Sequence, residues 1–325
     1  MRVFVTGASG FIGTAVVQEL KNAGHGVIGL ARTSEAAAKL RGLGALPHRG
    51  TLDDIESLKS AAAQADGVIH LAFMHGLSKV TWRERLRIFA GGAPSGIAAR
   101  FLEVITSADR RAIDALGSAL QGSGRPLVTT FGTLGLAAPK LRRDTAAVET
   151  DMPDPASPGY GRAITEDTVQ AWASRGVRTA IVRLPPSVHG SGDSGLVPQM
   201  IRAARKKRMS AFVDDGLNRW PAVHRDDAAR LFRLVLEHGN AGARYHGLAE
   251  EGVPMRDIAG VIGQRLGLPT ASITQAAAAK QFSWLAPFVA LDNPCSSRWT
   301  CDRLGWRPIG PSLLDDLDAD DYFRG

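Results

Sequence analysis

The sequence predicts an α/β fold, a doubly wound parallel sheet with a smaller, discontinuous C-terminal lobe. Three observations lead there. Short apolar runs alternate with helical patterns through the first half of the chain, and strands joined by helices of that length need parallel crossovers. The strand-like runs are continuously apolar, as strands are when helices cover both faces of a sheet. After Pro185-Pro186 the alternation stops, and Gly, Pro and short helical segments take over.

Taken in order, Val3-Phe4-Val5 reads as the first strand and residues 11–23 as a helix. A strand at Gly26-Val27-Ile28-Gly29-Leu30 and a helix over 35–42 follow. The short run Leu46-Pro47-His48-Arg49 precedes a helix over 53–65, in which Ile55, Leu58 and Ala62 recur at helical spacing. Gly67-Val68-Ile69-His70-Leu71-Ala72 is the next strand, followed by a long helix ending near Leu120. A strand over 127–130, a helix over 164–174 and a strand over 179–184 complete the series. Residues 223–237 look like a strand end and a helix returning to the sheet. We therefore expect a dinucleotide-binding domain over 1–186, with 223–238 returning to it, and a substrate lobe formed by 187–222 and 239–325. In that lobe a helix near 254–266 opens on Pro254, acceptable in a first turn, and lines Met255, Ile258, Ile262 and Leu266 along one core-facing stripe.

Composition bounds the function. With 325 residues, 44% of them apolar, the chain can form one large domain or two interlocked ones and hide about three quarters of its unfolded surface. Collagen, disorder and a disulfide scaffold are excluded. Cys295 and Cys301 lie six apart without a His-rich partner, so they read as reduced thiols rather than as a zinc site, and no metal is expected. The net charge of +7 has its densest run at Arg202, Arg205, Lys206, Lys207 and Arg208. No aromatics interleave there, so it reads as a solvated helix face rather than a nucleic-acid surface. No apolar run approaches the ~20 residues needed to span a bilayer, and no targeting segment is read at the start. The expectation is a soluble, cytoplasmic protein with a small-molecule partner and neither nucleic acid nor membrane.

The strongest motif is Thr6-Gly7-Ala8-Ser9-Gly10-Phe11-Ile12-Gly13, directly after the first strand and opening the first helix. Gly7 permits the tight turn, Gly10 lets the backbone approach a pyrophosphate, and Gly13 permits close helix–strand packing. Amide groups at the helix start then face the phosphates, assisted by the helix dipole. This is the Rossmann dinucleotide signature in its proper context. The end of the second strand reads Leu30-Ala31-Arg32-Thr33-Ser34, with no carboxylate to bond ribose hydroxyls. Arg32 with Thr33 beside it suits the 2′-phosphate of NADP(H); the alternative is NAD(H) with Arg32 a solvated surface residue.

These residues, with Val68-Ile69-His70-Leu71-Ala72, Arg183-Leu184-Pro185-Pro186-Ser187-Val188-His189-Gly190, Pro221-Ala222-Val223-His224-Arg225-Asp226-Asp227-Ala228-Ala229 and Leu304-Gly305-Trp306-Arg307-Pro308, occur in family order across nearly the whole chain. The chain resembles an extended, atypical short-chain dehydrogenase/reductase of the NAD-dependent epimerase/dehydratase group. The resemblance implies a Rossmann lobe with a substrate lobe at its C-terminal edge. It also implies cofactor contacts from Leu71, Ala72 and Phe73, and from Pro185, Ser187 and Val188. Where the family often has Asp followed by an apolar residue beside the adenine, this chain has Thr51 and Leu52. Dimerisation through two long helices is a family implication as well.

The catalytic set departs from the family. Its hydride chemistry uses a Ser or Thr after the fifth strand, and a Tyr and a Lys separated by three residues on the next helix. Here Phe131 falls at the serine, leaving Thr130 and Thr133 as nearby hydroxyls. If Tyr160 is the tyrosine, Ile164 stands at the lysine; if the helix is registered on Glu166, Arg162 replaces the lysine and Pro158 the tyrosine. Tyr160 is then either a shifted acid or a half-buried aromatic lining the site. Arg162 is able to fork onto ribose oxygens and favour a phenolate, although arginine shuttles no proton.

His189 and His224 stand in family-like turns and read as structural hydrogen-bonders more readily than as acids. His70 reads as core, and His75 follows the strand edge. Residues 78–107 carry Trp82, Phe89 and Phe101 around a Gly91-Gly92-Ala93-Pro94-Ser95-Gly96 hinge, which suits a substrate lid, a dimer contact or an ordinary connection. With Trp220, Trp284 and Trp299 they mildly favour an apolar carbonyl substrate. The leading expectation is an NADP-dependent oxidoreductase acting on a carbonyl/alcohol pair. The alternatives are a non-redox isomerase, cyclase or dehydratase, or a silent cofactor-binding sensor.

Overall fold

The computed structural model describes residues 1–73, 81–93, 96–137 and 145–323. Its first half alternates as expected: β1 (Arg2–Thr6), α1 (Phe11–Asn22), β2 (Gly26–Ala31), α2 (Ser34–Gly42), β3 (Leu46–Arg49), α3 (Ile55–Ala63), β4 (Gly67–His70), α4 (Trp82–Ala90), α5 (Ile97–Leu120), β5 (Pro126–Gly132), α6 (Tyr160–Ala163), α7 (Glu166–Ala173) and β6 (Arg178–Leu184). There follow β7 (Ser187–His189), α8 (Leu196–Lys207), β8 (Ser210–Val213), β9 (Arg219–His224), α9 (Arg225–His238), β10 (Ala243–His246), β11 (Glu250–Pro254), α10 (Met255–Leu266) and β12 (Thr270–Ile273). The chain ends with α11 (Gln275–Phe282), α12 (Ala286–Val289), α13 (Arg298–Leu304) and α14 (Leu313–Asp318).

The central sheet has seven strands in the order β10-β6-β5-β4-β1-β2-β3. From β3 to β5 its neighbours pair in parallel, with Val3 beside Val27 and Gly67, and Val68 beside Leu127. The chain leaves β1 on one side toward β2 and β3 and returns on the other at β4. The strand order therefore reverses beside β1, where doubly wound sheets bind ligands.

Internal contacts divide the chain into two compact units. The first is Met1–Phe131, Gly161–Val182 and Phe232–Ala243; the second is Gly132–Tyr160, Arg183–Leu231 and Arg244–Gly325. Gly132–Tyr160 thus groups with the second unit, whereas the sequence reading kept 1–186 together.

One expected helix is split and another is shortened at its start. The long helix before Leu120 is α4 plus α5, because Gly91 ends α4 and Gly92 takes φ +148°, a conformation open to glycine alone. The helix over 164–174 is α7 alone, preceded by α6; between them the Thr165 hydroxyl and amide both donate to the Arg162 carbonyl, tightening the turn. The α7 helix is locked onto α5 by a glycine. A β-carbon on Gly117 would lie 2.4 Å from the Trp172 ring, whose Nε1 donates to Asp114 at 2.9 Å.

The second unit contains small sheets that the sequence reading did not foresee, β11-β9-β7 and β12-β8. In α10 the expected stripe of Met255, Ile258 and Ile262 is buried, with Leu266 at its rim, but Pro254 is the last residue of β11 and the helix N-cap rather than a first-turn residue. The basic run lies in the last turn of α8 and just beyond it, where cations complement the helix dipole. Two motifs that carried the resemblance meet physically: the buried Asp227 carboxylate accepts the amides of Ile309 and Gly310, and Trp306 Nε1 donates to the Asp227 carbonyl. No helix among the described residues is long and apolar enough to cross a membrane.

This packing makes two stability predictions. Gly117→Ala should cost about 1–3 kcal/mol through overpacking against Trp172, read as a lower urea midpoint at an unchanged slope; a wild-type midpoint would mean that the ring has room to shift. His246 is buried on β10, donates Nδ1–H to the Ser296 carbonyl, and is pushed down to about 3 by burial and then by the Arg183 guanidinium. A histidine held neutral in the fold and free to protonate when unfolded contributes stability that is present above about pH 6.5 and lost as the pH falls. Acidification from pH 7 to 5 should therefore lower the melting temperature, and His246→Gln should flatten that fall; an equally steep fall in the variant would assign the acid sensitivity elsewhere.

Candidate active site

The glycine turn is closed to side chains. Gly7 has φ +69°, and a β-carbon there would come 2.8 Å from the Ala72 amide nitrogen. A β-carbon on Gly13 would lie 2.0 Å from the Gly7 carbonyl oxygen, and one on Gly10 3.2 Å from the same atom. Helix α1 begins at Phe11 without a side-chain cap and without an acidic residue in its first turn. Its N-terminus is the positive end of the helix dipole, and the Gly10 amide turns back to donate to the Gly7 carbonyl at 3.0 Å. Ser9, Phe11 and Ile12 are half-buried around this mouth, and Lys39 of α2 pins the loop by donating to the Ser9 carbonyl at 3.1 Å. Three crowded glycines leading into a helix N-terminus fit the close approach of a dinucleotide pyrophosphate.

At the end of β2, Leu30 and Ala31 are buried and Arg32 is exposed. Thr33 is the N-cap of α2: its hydroxyl accepts the Ala36 amide at 3.2 Å, and it helps to lower the pKa of the Glu35 carboxyl. Accepting that amide orients the hydroxyl and leaves its proton available, so Thr33 remains a donor beside Arg32. Leu52 is half-buried and packs on the core with Ile28 and Ile55.

A line of buried polar groups runs from β1 into α5. The Thr6 hydroxyl lies 2.8 Å from His70 Nδ1, and His70 Nε2 lies 3.2 Å from Asp109 Oδ1. Since a carboxylate only accepts, Nε2 carries the proton, and Nδ1 is left to accept from Thr6. The same Thr6 oxygen accepts the Ala72 amide at 3.2 Å, and the Thr6 carbonyl accepts that of Leu71. This fixes where Leu71, Ala72 and Phe73 leave the sheet; all three are half-buried. His70, expected as core, is buried as such and serves as a bridge. Asp109 was missed, although a carboxylate among Ile105, Ala108 and Ala112 on the inner face of α5 was a readable signal.

Arg162 is held by three features of the first unit. Its guanidinium lies 3.8 Å from the centroid of the Phe73 ring, and its Nη2 donates to the Thr130 carbonyl at 3.2 Å. Its Nε is buried with no hydrogen-bond partner. Burial lowers the hold of Arg162 on its proton, and the Asp109 carboxylate opposes that loss. Phe73 in turn packs on Ile105 and Ala108 of α5.

In the second unit, Tyr160 opens α6 and is half-buried, and its hydroxyl bonds no described residue. Its backbone is fixed by a close approach: a β-carbon on Gly159 would lie 2.7 Å from the Gly135 nitrogen, and the Ser157 hydroxyl donates to the Leu134 carbonyl. Thr133 is fully buried; its hydroxyl donates to Asn293 Oδ1 at 2.9 Å while Asn293 Nδ2 donates to the Thr133 carbonyl. Its proton is thereby taken, which corrects the expectation that Thr133 offers a hydroxyl to a substrate. Thr130 keeps a half-buried hydroxyl without a described partner.

Pro185 is buried and Val188 half-buried, and the buried Ser187 hydroxyl has no partner. His189 bonds Asp316 through Nδ1 at 2.8 Å, and His224 Nδ1 accepts the Asp226 amide at 3.3 Å, so both serve the packing of the second unit. His75 lies outside the described residues, as do 78–80, 94 and 95 of the lid candidate. Trp82 and Phe89 are exposed, Trp284 and Trp299 likewise, and Trp220 is fully buried.

The profile of the NAD dependent epimerase/dehydratase family matches residues 3–247. An uncharacterised protein of Schizosaccharomyces pombe is 44% identical over 99% of this chain and all of its own length. A 4-hydroxy-2-methyl-3-oxo-4-farnesyl-3,4-dihydroquinoline-1-oxide ketoreductase of Stigmatella aurantiaca is 30% identical, covering 75% of this chain and 67% of its own. Among solved structures, a dTDP-glucose 4,6-dehydratase of Streptomyces venezuelae with NAD bound superposes with a TM-score of 0.72 at 20% identity, over 98% of this chain and 95% of that one. Its likeness is one of fold. The glycine turn, the doubly wound sheet and the family profile agree, and the chain belongs to the NAD dependent epimerase/dehydratase family.

Proposed function

We propose that this protein is an NADP-dependent ketoreductase or dehydrogenase acting on a carbonyl/alcohol pair of an apolar small molecule. The observation that carries the reading is the side-chain-free glycine turn, joined to a second strand that ends in Arg32 without a carboxylate. The farnesylated substrate in the name of the Stigmatella relative supports the apolar class.

In this reading the glycine turn and the N-terminus of α1 hold the pyrophosphate, and Arg32 meets the 2′-phosphate. Leu71, Ala72 and Phe73 are assigned further cofactor contacts from the first unit, and the family resemblance assigns others to Pro185, Ser187 and Val188. When bound, the cofactor supplies or removes a hydride at its nicotinamide ring. The buried Nε of Arg162 bonds a ribose oxygen and satisfies its missing partner. Tyr160 gives the proton to the carbonyl oxygen and is recharged from water, and the Thr130 hydroxyl orients that oxygen. The fixed charge of Arg162 stabilises the phenolate left behind. A hydride on carbon and a proton on oxygen together complete the alcohol.

A second reading keeps the cofactor and drops net redox chemistry, as an isomerase, cyclase or dehydratase, or as a silent sensor. It is favoured by Phe131 at the usual serine, Ile164 at the usual lysine and the committed proton of Thr133.

Gly13→Val should abolish NADPH binding measured by fluorescence titration, since no backbone shift of ordinary size admits the side chain; retained affinity would displace the turn from the binding site. Tyr160→Phe should lower kcat with a lipophilic ketone by about 100-fold or more while leaving the dissociation constant for NADPH unchanged. Unaltered kcat removes Tyr160 from the mechanism. Product formation without net NADPH consumption would favour the second reading.

A further inference from the structure

Arg32 is the one charged side chain assigned to the 2′-phosphate, with the neutral Thr33 hydroxyl beside it, and a single exposed guanidinium is a weak clamp for a dianion. The neighbouring strand supplies another. In the parallel register of β2 and β3, Ala31 stands beside Arg49, and the Gly50 amide donates to the Ala31 carbonyl at 3.3 Å. Adjacent strands lie about 4.8 Å apart, so Arg49 starts level with the residue that precedes Arg32. Both arginines are exposed, and no described residue accepts a hydrogen bond from either guanidinium.

We infer that Arg49 is the second arm of the cofactor-specificity clamp, closing with Arg32 on the 2′-phosphate of NADP(H). The inference rests on the NADP reading above and adds a residue from a different strand to it. Glu35, in the first turn of α2, makes the second arm necessary. Its carboxyl is held below its ordinary value by its own backbone amide, by the Thr33 hydroxyl and by the Arg49 guanidinium, so it is an anion at neutral pH beside the same turn. A phosphate dianion entering there meets Glu35 as well as Arg32. Arg49 offsets that repulsion, and its guanidinium has donors enough to keep Glu35 within its field while bonding phosphate oxygens. Arg32 reaches the phosphate because it follows β2 in the chain, and Arg49 because the register of β3 sets it alongside.

The test isolates the adenosine end from the nicotinamide end. Binding of 2′,5′-ADP and of 5′-AMP to the full chain is measured by calorimetry for wild type, Arg32→Ala, Arg49→Ala and Arg49→Lys, with NADPH and NADH titrated in parallel. The expected result is a wild-type preference for 2′,5′-ADP that falls by about tenfold in Arg49→Ala, with 5′-AMP and NADH affinities unchanged and part of the preference kept in Arg49→Lys. A wild type that prefers 2′,5′-ADP while Arg49→Ala keeps the same ratio overturns the role of Arg49 and leaves the NADP reading standing. Equal loss for both nucleotides in Arg49→Ala overturns it too, since the effect would then be general. A wild type with no preference between NADPH and NADH overturns the NADP reading and this inference with it. Arg49 is exposed on a short edge strand, so the variants are expected to fold.

Discussion

The first unit is organised by a turn in which three positions, Gly7, Gly10 and Gly13, leave no ordinary room for a β-carbon. From Gly7 to Gly13 the chain turns back on itself so tightly that a β-carbon on Gly13 would stand 2.0 Å from the Gly7 oxygen. The far side of Gly7 is pressed against the Ala72 amide. One consequence is local: α1 begins directly off the end of β1 with its leading amides uncapped. The other reaches further. Because β4 must exit past Gly7, the Thr6 hydroxyl catches the Ala72 amide, and Phe73 is delivered onto α5 and under the Arg162 guanidinium. Packing at the glycine turn thereby sets the position of a cation whose place in the sequence lies some 150 residues away.

That cation is expensive to keep. Burial disfavours the charged guanidinium, and two of its stabilising contacts, an aromatic face and a single carbonyl, are weak compared with a carboxylate fork. Asp109 restores part of the balance through its field, and it is itself fixed by His70. An arginine retained in so poor a solvent, with its Nε unpartnered, is poised for a further acceptor. It differs from a lysine in one chemical respect: it does not release a proton near neutral pH. Arg162 is therefore able to act on its surroundings as a fixed charge, not as a source of protons.

The readable part of this arrangement was the part written in short-range pattern. Glycines at spacings of three, apolar runs of strand length and the arginine after β2 all lie within local stretches. The parallel sheet, the glycine turn and the core stripe of α10 followed from them. What stayed hidden depends on contacts between distant residues or on small local competitions. The bracket between Thr133 and Asn293 joins residues 160 apart, and no property of either announces the other. The strands β7, β8, β11 and β12 run three to five residues, too short to show a period. The short helix α6 was not read, and α7 begins at Glu166 rather than at 164, after Thr165 turns its hydroxyl onto the Arg162 carbonyl. Asp109 and Arg49 were visible letters whose meaning depended on facing partners.

Strand geometry also changes how the apparent loss of the catalytic hydroxyl is read. Side chains alternate across a strand, so a shift of one residue exchanges the two faces of a sheet. In β5, Leu127 and Phe131 belong to the core cluster shared with α3, α5 and α7, and Thr129, in step with them, is fully buried. Thr130 and Gly132 alternate with these and are the half-buried positions of the strand end. A residue at 131 is directed into the core whatever its chemistry, and Phe131 fills that space. The position able to present a hydroxyl outside the core is 130, and it carries a threonine. Matching the chain to its family by sequence alone places the lost serine at 131, whereas the alternation of β5 places the available hydroxyl one residue earlier, in the same strand end whose carbonyl already holds Arg162.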